Sequence, residues 1–95
     1  MNREELMRQA RQRWELLQAD LDKLEVKAQH ASEEVRAEAQ VQLQKAREHA
    51  EELRGKMDEI RESTEERLGE LRERVDHLGD TARQKLDHIK GKIGL

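Results

Sequence analysis

Trp14-Glu15-Leu16-Leu17-Gln18-Ala19-Asp20-Leu21-Asp22-Lys23-Leu24-Glu25-Val26-Lys27-Ala28 is the stretch that decides the fold class. Trp14, Leu17, Leu21, Leu24 and Ala28 recur in steps of three, four, three and four, a helical period that a strand cannot hold. The stripe runs backward to Ala10 and Met7. Forward it continues through Ala31, Val35, Ala39, Leu43, Ala46, Ala50, Leu53, Met57, Ile60, Thr64, Leu68, Leu71, Val75, Leu78, Ala82, Leu86, Ile89 and Ile93. Only Thr64 among these positions is not apolar. The stripe covers 86 residues in 24 steps, a mean of 3.58. One narrow seam takes most of the apolar residues, and a helix built this way has something to lie against.

Composition agrees with a helix and excludes much else. Charged residues make up 43% of the 95, Trp14 is the only aromatic, and there is no proline to stop a helix. There is no cysteine, which excludes disulfides and thiolate chemistry. The first residues carry no apolar leader segment, and no run approaches the ~18 apolar residues of a membrane span. A soluble, cytoplasmic protein is expected, with peripheral attachment to a membrane as the alternative. The net charge of −3 conceals basic ends and an acidic middle, a pattern suited to contacts in which ends meet middles. It does not suit nucleic acid, which needs a basic stripe along one face.

The period of the stripe changes along the chain. Heptad-like 3.5 spacing holds up to Val35 and again from Leu43 to Thr64, with a stutter between. From Thr64 onward the spacing relaxes towards that of a straight helix. The chain therefore divides into a heptad-patterned segment, 1–62, with an Ala-rich middle, and a straighter amphipathic tail, 63–95. Ser63-Thr64-Glu65-Glu66 reads as a capping box, with Ser63 at the N-cap and Glu66 three residues on, and marks where the helix would bend. The expected fold is all-α: a long amphipathic helix or coiled coil with stutters, continuous or bent near residue 63, and oligomeric.

The predicted self-association seam is Trp14, Leu17, Leu21, Leu24, Ala28, Ala31, Val35, Ala39, Leu43, Ala46, Ala50, Leu53, Met57 and Ile60. Its middle is rich in Ala, which lets backbones approach, and its residue sizes are nearly palindromic about Ala39. That symmetry suggests a homo-oligomer with an antiparallel two-fold contact centred near Ala39, pairing Leu21 with Met57 and leaving the tail overhanging. The tail's own face, Leu68, Leu71, Val75, Leu78, Leu86, Ile89 and Ile93, has basic residues most densely at its end and is the candidate surface for lipid or a partner protein.

No catalytic constellation stands out. His30, His49, His77 and His88 lie beside the seam, and His77 and His88 are about 16 Å apart along a helix, too far for one chain to chelate with both. The carboxylate pairs have no pocket to raise a pKa. No metal, cofactor, small molecule or nucleic acid is expected, and no enzymatic activity.

Leu21-Asp22-Lys23-Leu24-Glu25-Val26-Lys27-Ala28, followed by Gln42-Leu43, Leu53-Arg54, Ser63, Leu71, Val75, Leu78 and Leu86, resembles a family of short bacterial coiled-coil proteins associated with stress responses. The likeness spans about residues 17–90. In that family a Trp usually follows the mid-chain Ser by a few residues; this chain has Glu65-Glu66-Arg67-Leu68 there. The resemblance implies a structural role and no catalysis.

Overall fold

The apolar seam is cut twice, and the pieces fold back to cover one another. The computed structural model describes residues 2–94 and contains three α-helices: α1 (Arg3–Gln29), α2 (Glu33–Glu62) and α3 (Leu68–Ile93), with one 3₁₀ turn, Glu65–Arg67, leading into α3. Each helix packs against both others, so the three close a triangular bundle 48 Å long and 17 by 16 Å across. α1 and α3 run parallel, with α2 antiparallel between them.

Each helix starts and stops for a local reason. Asn2 caps α1 by accepting a hydrogen bond from the Glu5 amide at 2.7 Å, and Glu4 and Glu5 face the positive end of the helix dipole. Ser32 caps α2 through its Oγ, which accepts from the Val35 amide at 3.3 Å. α3 ends at Gly94, whose φ of +86° is the left-handed conformation that glycine adopts without a Cβ clash.

The core is the stripe. Nineteen apolar residues are buried, and all but Leu6 belong to it. Met7, Trp14, Met57 and Ile93 pack at its margin. Thr64, the polar exception, is exposed in the second turn. The antiparallel register about residues 30–32 sets the Ala-rich run Ala39–Ala50 of α2 against the Leu-rich run Leu17–Leu24 of α1. Small faces large, and interhelical space is filled without bulky aromatics.

The chain is therefore all-helical, but it is not one rod. The stretch 1–62 turns at residues 30–32, where no glycine or proline announces a break. The bend expected near residue 63 is present, although its chemistry differs from a capping box. Ser63 terminates α2, and its Oγ donates back to the Ile60 carbonyl at 3.2 Å. No side chain caps the 3₁₀ turn after it. The tail does not overhang; it is the third wall of the bundle.

Candidate interaction surface

The two predicted faces meet each other. Leu17, Leu21, Leu24, Ala28, Ala39, Leu43, Ala46, Ala50, Leu53 and Ile60 from the first set lie in one core with Leu68, Leu71, Val75, Leu78, Leu86 and Ile89 from the second. Trp14, Ala31, Val35, Met57 and Ile93 are half-buried at its edges. In this closed state the lipid or partner face of α3 is covered by α1 and α2. Leu21 lies level with the first half of α2, so it is not opposite Met57 within the chain.

Outside the core the surface is charged. Among the described residues, Leu16, Val26 and Val41 are the large apolar side chains left exposed, and helical projection puts them on separate faces. Scattered single residues of this kind are normal and form no docking patch.

Ion pairs hold the helices in register. Arg13 of α1 reaches Asp76 at 3.1 Å and Asp80 at 2.6 Å on α3. Gly79 makes this possible, because a Cβ there would lie 2.6 Å from the Arg13 guanidinium carbon. Lys90 meets Asp20 at 3.1 Å, and Arg47 meets Glu25 at 3.1 Å. Lys92 lies 3.8 Å from Glu38. The basic end of α3 is thus partly neutralised by acids of α1 and α2. Such exposed pairs each contribute only ~0.2–1 kcal/mol, so they align the helices more than they stabilise them.

Polar groups near the core are few. The Arg54 guanidinium stacks 5.6 Å from the centroid of the Trp14 ring. Trp14 Nε1 and His49 Nδ1 are buried without a hydrogen-bond partner. The four histidines are not gathered, and no cluster of three or more His, Cys, Asp or Glu is poised for a metal among the described residues. Among the described residues no helix is long and apolar enough to cross a membrane. Glu59 has its carboxyl held below the ordinary value of 4.5, first by the hydrogen bond from Lys56, and it is a surface group.

The functional geometry that sequence reasoning missed is the first turn. A signal was available in Ser32-Glu33-Glu34, an N-cap residue followed by acids of a first helical turn, but the stripe runs through it in phase and hides it. Leu6 was missed because it lies one residue off the stripe, beside Met7. No protein-family model, curated protein or solved structure matches the chain.

Proposed function

We propose that the chain is a non-enzymatic structural module that self-associates through its apolar seam, which the closed bundle stores and an opened bundle presents. The observation that carries this reading is the unbroken helical phase of the apolar seam across the first turn. A hairpin sets the orientation of each helix through its turn and has no need for the stripes to share one phase. A continuous helix does need it. Leu24, Ala28, Ala31, Val35 and Ala39 keep steps of four, three, four and four through the first turn.

Two further features support the reading. The core relies on Ala at six of its nineteen positions, so the closed state holds less apolar burial than a Leu-rich bundle and opening is less costly. Among the described residues the exterior supplies no contiguous apolar patch, whereas the seam is one.

Sedimentation velocity across a concentration series tests the proposal. Growth of the mass towards an elongated oligomer is expected. A chain that stays monomeric up to ~1 mM and floats with anionic vesicles would overturn it in favour of a lipid-surface role.

A further inference from the structure

We infer that a second copy of this chain is the seam's partner, taken up by exchange of α1 about a hinge at Ser32. This rests on the self-association reading and specifies its geometry. His30, which ends α1, has φ −95° and ψ −1°, still in the right-handed helical region. Its amide donates to the Lys27 carbonyl, and the Ala31 amide to the Ala28 carbonyl, three-residue bonds that tighten the last turn of α1 just before the hinge. Ser32 has φ −59°, already helical, and departs only in ψ, at 159°. Returning that angle to the helical value, a rotation of about 160°, and bringing the bend at Ala31 into helix joins α1 to α2. No residue here has positive φ, and none is glycine or proline. One side-chain hydrogen bond, Ser32 to Val35, closes the turn.

Straightening produces a helix over residues 3–62 with one continuous apolar face. Two such chains cross antiparallel near residue 32, and each α1 docks on the α2 and α3 of the other copy. The contacts of α1 with α2 and α3 are remade between chains while α2 and α3 keep theirs within each chain, which is why exchange is a low-cost route to a dimer. The dimer also creates an interface at the crossing, where Ala31 and Val35 are only half-buried in the closed chain. There an open cleft, lined also by Lys27, His30, Ser32, Lys92 and Ile93, is available to a second copy. The small side chains of Ala28 and Ala31 allow the close approach. The two-fold centre is thus near Ser32, and not at Ala39.

The second turn does not open in the same way. Arg3 of α1 donates to the carbonyls of Ile60 and Ser63, Ser63 is buried, and a straightened helix would place polar Thr64 in the seam. In the dimer, Arg3 of the other copy supplies that clamp.

The experiment uses the full chain with Glu5→Cys and Asp58→Cys, spin-labelled, mixed with excess unlabelled chain, refolded, and followed by sedimentation and pulsed dipolar distances. Both positions are exposed, and the chain has no native cysteine. The labels are neighbours in the closed bundle but about 80 Å apart in a continuous helix, 53 residues at 1.5 Å each, well beyond the bundle's 48 Å length. A dimer with the long intrachain distance is expected. Ser32→Ala, which removes the cap of the closed turn, should favour the open chain about fivefold. Glu33→Pro suits the closed bundle, because proline is welcome at the first helical position and requires extended backbone before it, as Ser32 has. In the open helix the same proline clashes, so dimerisation should weaken by about 100-fold or more while the monomer remains helical. A dimer with only the short distance would overturn the exchange and leave self-association standing. Absence of any dimer up to ~1 mM, for wild type and Ser32→Ala alike, would overturn both. Dimerisation unaffected by Glu33→Pro would also overturn the hinge.

Discussion

The two turns lie at opposite ends of one bundle and are held by different means. The first, at residues 30–32, has one extended residue, Ser32, and is fastened by its hydroxyl and by two backbone hydrogen bonds that end α1. The second has two successive extended residues, Ser63 (φ −83°, ψ 161°) and Thr64 (φ −77°, ψ 160°), followed by a 3₁₀ turn. It is fastened by a buried serine and by an arginine from a different helix. The bonds within the first turn are all local, so once α1 leaves the core no other helix holds that turn bent. A turn secured from another helix opens only when that helix leaves. The difference separates a hinge from a corner.

Core truncations beside the two turns should differ in cost. Ile60 is fully buried at the corner, and Ile60→Ala should destabilise by about 2–5 kcal/mol. Val35 is half-buried at the hinge, and Val35→Ala should cost about 1 kcal/mol or less. Urea unfolding of both variants measures the contrast. Equal losses would mean that the hinge end is packed as firmly as the corner.

Arg3 sharpens the comparison. Arg3→Ala leaves the carbonyls of Ile60 and Ser63 without their charged donor, at a cost of about 1–2 kcal/mol, towards the low end because the guanidinium is only partly buried. Hydrogen exchange should then accelerate over residues 60–68 towards the rate at 30–36, with the middle of α2 unchanged. Unaltered protection at the corner would assign its rigidity to Ser63 and Ile60 alone.

How far these features were legible follows from the same contrast. The period of the stripe identifies the helices, and 18 of its positions form the core, because helical phase and burial are local properties of the sequence. The corner was legible as a place, since Thr64 breaks the stripe there, but not as a mechanism. Its clamp joins Arg3 to Ile60 across 57 positions, and no local pattern encodes that. The hinge was hidden because its residues are compatible with helix. Whether such a chain turns depends on whether α2 finds its cover in α1, a tertiary contest that neither propensity nor spacing expresses. The two faces are apolar stripes that local spacing displays, whereas their coverage of one another is a property of the folded chain.

The smallest expected effect concerns the last turns of α2, before the corner. Lys56 Nζ lies 2.7 Å from Glu59 Oε2, and this contact, before any longer-range attraction, lowers the carboxyl's affinity for protons. A carboxyl with a depressed folded pKa contributes stability that is complete above its unfolded value, near 4.5, and is lost as pH falls through the lower folded value. Glu59→Gln should therefore lower Tm slightly at pH 7, by less than about 2 °C because both groups remain in contact with water. The difference from wild type should persist down to about pH 4.5 and vanish below it. Salt should shrink it at every pH, since exposed charges are screened over about 8–10 Å. A Tm difference that survived full protonation would mean that Glu59 supports the end of α2 by packing and not by charge.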